Sequence, residues 1–338
     1  MPRAAVLGTG LIGASIGIAL RRLGWSVVGW DPDGAALRTA AAVGALDEML
    51  AHAAEAESTD LIVLAGPPAA IEETLAVLRV DALVTDVAGV KAPMVAAGRH
   101  LHRYVGGHPL AGRETSGPGG ASGSLFQGAT WVLTTDNADP ASLNELSELV
   151  SKLGAIPLHL SAVQHDEAVA AISHLPQVLA SALVNRVARD PGALDLAAGG
   201  FRDLTRIALS SPGWWPDVLV ENREPLAARL RELGGDLLAW ADLVEEQNRE
   251  QIGAALLSAR AARSSLTAPV TSIGVVLEDR PGEIARVGHA LEVSGVDLRD
   301  LQLRHATHGG GGVLTLSVRA AEVDLLITTL RAEGFDLI

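Results

Sequence analysis

A histidine follows two glycines and precedes a proline in Gly106-Gly107-His108-Pro109, just after the β-type run Arg103–Val105. Paired glycines let a backbone come close to another surface, and the proline stiffens the chain behind the imidazole. A neutral imidazole titrates near physiological pH, so it can accept the proton of a hydroxyl while hydride leaves the carbon that bears it. His108 is thus a candidate base for alcohol oxidation; the plainer reading is a histidine that caps a turn. Such a reaction also needs a hydride acceptor, and a place for one stands at the start of the chain.

The run Ala4-Ala5-Val6-Leu7 enters Gly8-Thr9-Gly10-Leu11-Ile12-Gly13 directly, which is G-x-G-x-x-G between a strand and a helix. The first glycine permits the tight turn, the second admits a pyrophosphate against the backbone, and the third lets helix and strand pack closely. Free N–H groups at the helix start then face the phosphates, aided by the helix dipole. The next β-type run, Ser26–Trp30, ends at Asp31, 18 residues after Gly13. A carboxylate there accepts hydrogen bonds from the adenosine ribose and repels a 2′-phosphate, which predicts NAD over NADP. As a plain turn residue, Asp31 would only open Asp31-Pro32-Asp33-Gly34. A second turn, Gly66-Pro67, follows the run Leu61–Leu64. It lies either toward the nicotinamide side of the cofactor or simply before a helix. Asp86 and Lys91 follow the run Leu83–Asp86 and face either the cleft or solvent.

These groups need a frame. Over residues 1–160, short β-type runs alternate with Ala/Leu-rich helical stretches, the later runs being Trp131–Thr134 and Pro157–Leu160. Near-continuous apolar runs predict strands covered on both faces, hence an α/β Rossmann domain with a parallel sheet between helix layers. Over 161–263 the strands vanish, and helices are expected at Gln164–Arg189 (kinked or split at Pro176), Glu224–Leu233 and Asp236–Arg263. By analogy with other two-domain dehydrogenases this all-α region is expected to dimerise. Residues 261–269 read as a linker. Residues 264–338 form a small α+β module, with strands at Ser272–Glu278, Leu298–His305 and Val313–Arg319. Its helices are Gly282–Ser294 and Ala321–Glu333, and a fourth strand is expected at Phe335–Ile338.

Bulk composition narrows the partners. The net charge is −14 with no long Lys/Arg run, so neither nucleic acid nor an anionic membrane is an expected partner. The absence of cysteine excludes disulfides, thiolate metal sites and a cysteine nucleophile, and it fits a cytoplasmic protein; no metal is expected. Gly8, Gly10, Gly13 and Gly17 interrupt the apolar N-terminal stretch, which reads as strand, turn and helix instead of a signal peptide. No uninterrupted apolar run of about 18 residues predicts a membrane span.

Three strings in consistent order resemble the prephenate dehydrogenase family. They are His108-Pro109-Leu110-Ala111-Gly112-Arg113-Glu114 with Ser116-Gly117 and Leu125-Phe126 beyond it; His165-Asp166 with Ser173-His174-Leu175-Pro176; and Gly199-Gly200-Phe201-Arg202-Asp203-Leu204-Thr205-Arg206-Ile207-Ala208, followed by Ser210, Pro212 and Trp215. The resemblance runs from Val6 to about residue 260. It implies oxidative decarboxylation of prephenate to 4-hydroxyphenylpyruvate with NAD, in tyrosine biosynthesis. It makes His108 the base and gives Arg206 a substrate carboxylate to hold in a bidentate pairing. Arg206 can also pair with Asp203, three residues earlier. Glu114 would order this network, and Trp215 lies near the substrate or in the core. His165 and His174 are nine residues apart, half a turn out of phase on an ideal helix. His165 is taken as the substrate-side residue and His174 as structural. Three positions depart from the family pattern: Gln177 replaces a histidine, Arg113 a small hydroxyl residue, and Gly89 a serine. They bear on side-chain recognition, including prephenate against arogenate.

Val275-Val276-Leu277-Glu278-Asp279-Arg280-Pro281-Gly282-Glu283-Ile284 resembles the strand–D-x-P-G–helix opening of a ferredoxin-like ACT domain. On a tyrosine-pathway enzyme this implies feedback by a tyrosine effector; the alternative is a dimerisation module without a ligand. The expected protein is a homodimeric dehydrogenase. Arogenate dehydrogenase and a catalytically silent amino-acid sensor are the other readings.

Overall fold

The computed structural model describes residues 1–112, 117–210, 213–265, 270–305 and 311–338. Its internal contacts divide the chain into two compact units, Met1–Gly235 and Asp236–Ile338.

The first unit opens with β1 (Arg3–Leu7), α1 (Leu11–Arg22), β2 (Ser26–Trp30), α2 (Gly34–Ala42) and the two-residue β3 (Glu48–Met49). It continues through β4 (Leu61–Leu64), α3 (Pro68–Val77), β5 (Leu83–Asp86), α4 (Ala92–Gly98) and β6 (Tyr104–Val105). These six strands form one parallel sheet in the order β3-β2-β1-β4-β5-β6. Alternation along the central strands feeds two cores. Ala4, Val6, Leu61 and Val63 pack on one face, and Ala5, Leu7, Ile62 and Leu64 on the other. Burial on both faces is what turns these strands into continuous apolar runs. The chain reverses its direction of growth between β1 and β4, which leaves a crevice at their carboxyl ends. The order is that of the Rossmann nucleotide-binding domain, as expected.

Two expected strands leave that sheet. β7 (Gly107–Pro109), β8 (Thr130–Thr134) and, after α5 (Pro140–Lys152), β9 (Ile156–Leu160) form a separate sheet in the order β7-β8-β9. β7 and β8 are antiparallel, β8 and β9 parallel. The cause is at Gly107, where a Cβ would stand 2.6 Å from the Asp86 carbonyl oxygen. Glycine lets the chain cross the end of β5 and pair with β8, and His108 rides on this crossing strand.

The helical layer begins with α6 (Ala162–Val169), whose capping box joins Ser161 and Gln164 reciprocally. A π turn, Ala170–His174, leads into α7 (Leu175–Val187). Pro176 has no N–H to donate backward and its ring crowds the preceding turn, and the wider π turn accommodates both effects. The buried positions run 162, 165, 166, 169, 170 and then 174, 177 and 180. The five-residue step from 169 to 174 coincides with the π turn. His165 and His174 therefore share the buried face, although ideal α geometry would put them on opposite sides. The run Ala162–Val187 is long and apolar enough to cross a membrane by length and composition. It buries His165, Asp166, His174 and Gln177, and Asp166 accepts hydrogen bonds from the start of α4. Its buried face thus packs on α4 through polar groups.

Next come α8 (Gly199–Thr205), α9 (Trp215–Glu221) and α10 (Arg223–Glu245). The sequence suggested a break at Gly234-Gly235, yet α10 runs through it. A helical glycine costs only about 1 kcal/mol against alanine, too little to break a long helix. The break comes instead at Gln247, with a left-handed φ of 54°, before α11 (Arg249–Ser265).

Beyond α11 lie β10 (Val270–Leu277), α12 (Glu283–Ser294), β11 (Asp300–His305), β12 (Gly312–Arg319) and α13 (Val323–Ala332). The strands form an antiparallel sheet ordered β10-β12-β11. The C-terminal residues join β10: Gly274 N donates to Ile338 O at 3.0 Å and Val276 N to Asp336 O at 2.9 Å. Val275, Leu314, Leu316, Leu326 and Leu330 make a core of their own. Gly282, which precedes α12, takes a left-handed φ of 95°, as the Pro-Gly turn requires.

Candidate active site

The glycine loop sits at the crevice between β1 and β4. Gly8 has φ 98°, and a Cβ there would lie 2.5 Å from the Ala65 carbonyl carbon. A Cβ on Gly13 would lie 2.0 Å from the Gly8 carbonyl oxygen. Gly10 differs: it precedes α1 and its Cβ position faces open space. No side chain caps α1 and no acidic residue stands in its first turn, so the helix start offers its amides to an anion. Thr9 N and Thr9 Oγ1 donate to Asp31 Oδ2 at 2.6 and 3.0 Å, and Asp33 N donates to Asp31 Oδ1 at 2.9 Å. Asp31 is thus fixed beside the loop with lone pairs left for a ribose. Gly66 abuts Gly8, and Pro67 precedes α3. The loop, with Leu11 and Ile12 opening α1, fits a dinucleotide.

His108 lies next to this crevice, where β7 crosses β5. His108 Nδ1 is 2.8 Å from His165 Nε2, and His165 Nδ1 is 2.7 Å from Asp166 Oδ1. Asp166 in turn accepts from Lys91 N and Ala92 N, each at 2.8 Å. Asn222 Nδ2 donates to the Asp166 carbonyl and meets His174 Nδ1, both at 2.9 Å. Burial pushes the His108 pKa well below the ordinary 6.5, and His165, Lys91 and His174 push it the same way. Burial also lowers His174, to about 4, against a partial rescue by Asp166. His108 is therefore neutral at physiological pH. A Cβ on Gly89 would be 3.8 Å from both His108 Nε2 and Cε1, so residue 89 leaves that side of the ring open.

Asp86 and Lys91 are neither cleft-facing nor a surface pair: both are fully buried under the site. Lys91 Nζ binds Asp86 Oδ1 and donates to the Gly107 carbonyl at 2.7 Å. Asp86 also accepts from Tyr104 Oη at 2.7 Å and Ala88 N at 2.8 Å. Burial lowers the lysine pKa and Asp86 opposes it. Burial and Asp86 together raise Tyr104 well above its ordinary range.

The remaining expected residues gather in part. His165, taken as substrate-side, is buried with both ring nitrogens engaged, which places it behind His108. Gln177 lies on the buried face of α7, and its amide makes no hydrogen bond among the described residues. The Trp215 ring stands 6.1 Å from that of His174, edge to face, and its buried Nε1 has no partner among the described residues. Arg206 starts a short turn that packs on α7. Asp203 is exposed. Glu114 and Arg113 lie outside the described residues. Asp166 and Asn222 were not singled out in the sequence. Apart from the adjacent His165, their partners are 48 to 75 residues away, and only the His165-Asp166 string hinted at the first.

Two family models match in tandem. The nucleotide-binding domain of prephenate dehydrogenase matches residues 16–157, and its dimerization domain matches 161–257. A Streptomyces niveus protein named probable prephenate dehydrogenase NovF is 34% identical, covering 98% of each chain. The structure of Aquifex aeolicus prephenate dehydrogenase, in complex with hydroxyphenyl propionate and NAD+, superposes with a TM-score of 0.74 at 29% identity. That match covers 79% of this chain and 99% of the other. Synechocystis arogenate dehydrogenase follows at a TM-score of 0.69 and 30% identity, covering 78% and 100%. With two consecutive family models over most of its length and a relative one-third identical from end to end, this chain belongs to the prephenate dehydrogenase family.

Proposed function

We propose that the protein oxidises prephenate to 4-hydroxyphenylpyruvate and carbon dioxide in tyrosine biosynthesis, with NAD bound at the Gly8–Gly13 loop. The observation that carries this reading is a half-buried, neutral His108 beside the nucleotide crevice, with Nε2 clear of the Gly89 side. NAD, when bound, supplies the hydride acceptor. Charge balances without net proton release: a dianion that loses hydride and neutral carbon dioxide leaves a monoanion. His108 therefore needs only to accept the ring hydroxyl's hydrogen bond while C4 is electron-poor, and to leave the proton on oxygen as the ring becomes aromatic. Aromatisation drives the step, so one acceptor suffices.

Arg206 holds a substrate carboxylate, with Asp203 and Glu114 as its ordering carboxylates. Trp215 offers a buried, unsatisfied N–H to the rest of the substrate, and Gln177 its side-chain amide. His165 acts from behind the imidazole. Gly8, Gly10, Gly13, Asp31, Gly66 and Pro67 serve the cofactor. The working parts are 1–160 for NAD, 161–263 for substrate and homodimer formation, and 264–338 as an ACT domain. Support for the last is its βαββα order with a C-terminal edge segment and the Pro281-Gly282 turn.

NADH formation with purified protein, NAD and prephenate, and with arogenate in parallel, tests the activity and ranks the substrates. Turnover of neither would remove the enzymatic reading. Adding tyrosine to the same assay tests the ACT assignment; an unchanged rate and no binding by calorimetry would leave that module structural.

A further inference from the structure

We propose that Asp166, acting through His165, holds His108 in the tautomer whose Nε2 is a bare acceptor. The inference rests on His108 being the acceptor in the reaction above, and it starts from donor and acceptor counting. The Asp166 carboxylate already receives the backbone N–H groups of Lys91 and Ala92, so it can only accept. His165 Nδ1, 2.7 Å away, must therefore carry the hydrogen. A neutral His165 then has a bare Nε2, and its 2.8 Å contact with His108 Nδ1 requires the hydrogen on His108. That leaves His108 Nε2 bare and turned to the open side, the form a hydroxyl can use. One carboxylate thus determines the hydrogen on a ring two residues away in the chain of contacts. The carboxylate itself is fixed by α4, and its backbone carbonyl by Asn222 at the end of α9. Asp166 and His165 are positioning residues: neither reaches the substrate.

The test uses the full chain. Isotope-labelled imidazole nitrogen NMR on the substrate-free protein, with His108→Asn and His165→Gln for assignment, should show His108 protonated on Nδ1 and bare on Nε2. In Asp166→Asn the amide presents a donor to His165, and the Nε2–H form of His108 should appear. With NAD and prephenate, kcat of Asp166→Asn should fall roughly 100-fold or more, as a wrong tautomer does elsewhere. KM should stay within about threefold. Because Asp166 also caps α4, a second pair guards against misfolding. His165→Gln keeps an acceptor for His108 Nδ1 and His165→Leu removes it, so the first should retain at least roughly tenfold more kcat. Equal activities in that pair, an imidazolium at His165, or a wild-type His108 with hydrogen on Nε2 would each overturn the proposal. The NMR result needs no substrate, so an enzyme inert toward prephenate would defeat the functional reading while leaving the tautomer question answered separately.

Discussion

His108 and His165 meet nearly at right angles, with ring planes at 75° and Nδ1 to Nε2 at 2.8 Å, across 57 residues of sequence. The contact uses the nitrogen of His108 that does not face the open side, so the ring is gripped at one end and available at the other. Replacing His108 by Asn keeps a polar side chain and an amide oxygen but loses the basic imidazole nitrogen. Steady-state kinetics should show kcat down by about 100- to 10,000-fold, with KM for substrate nearly unchanged. A KM effect as large as the kcat effect would mean that the residue binds substrate.

Arg206 should behave in the opposite way. Its alanine variant removes a carboxylate fork present in both ground and transition states, so KM should rise on the order of 10- to 100-fold with kcat largely kept. Lysine at this position offers a point charge without the fork and should recover only part of the affinity.

Two glycines of one loop should fail differently. In Gly8→Ala the new methyl meets the Ala65 backbone at 2.5 Å on a left-handed φ, so the loss is one of folding stability, read as a lower Tm. In Gly10→Ala the methyl enters open space. Tm should stay put while NAD affinity, measured by fluorescence titration, drops, because the methyl occupies the approach of the pyrophosphate.

Lys91→Met isolates the buried Asp86 carboxylate, which keeps Tyr104 and Ala88 as donors but loses its cation. Removing one member of such a pair should cost about 3–5 kcal/mol in urea unfolding. Adding Asp86→Asn should return part of that loss, since no unpaired charge then remains.

The acid limb of kcat/KM should lie below the ordinary histidine range, because the reactive form is neutral His108 and burial depresses its pKa. Stability follows the same sign. Unfolded His174 titrates near 6.5 and folded His174 near 4, so between these values the unfolded chain binds more protons. Stability should fall as pH drops through that window and be insensitive to His174 above it. Urea midpoints at neutral pH and at about pH 5 check this.

Apolar runs made β1, β2, β4 and β5 legible, because strands buried on both faces cannot tolerate polar residues. β3 has two exposed residues and carries no such signal. Gly107-His108-Pro109 reads as a turn, and only its pairing with β8 makes it a strand. The runs at β8 and β9 were visible, but their sheet was not, since periodicity does not name a partner. In the site, the nucleotide loop is local and could be read whole. The links from His108 to His165, and from Asp166 to the backbone at the start of α4, join segments far apart in sequence that no local pattern connects. The expected opposition of His165 and His174 followed correctly from α geometry and failed because one turn is not α.

That turn makes the spacing between the two histidines a carrier of information in its own right. Closing Ala170–His174 to regular α geometry with no residue removed would rotate everything beyond it by about 100°. His174 and Gln177 would swing out of the site with composition and hydropathy unaltered. The extra residue of the turn is thus a phase correction, silent to any reading of residue types, and it keeps the half of the helix that carries His174 and Gln177 in register with the half that carries His165 and Asp166.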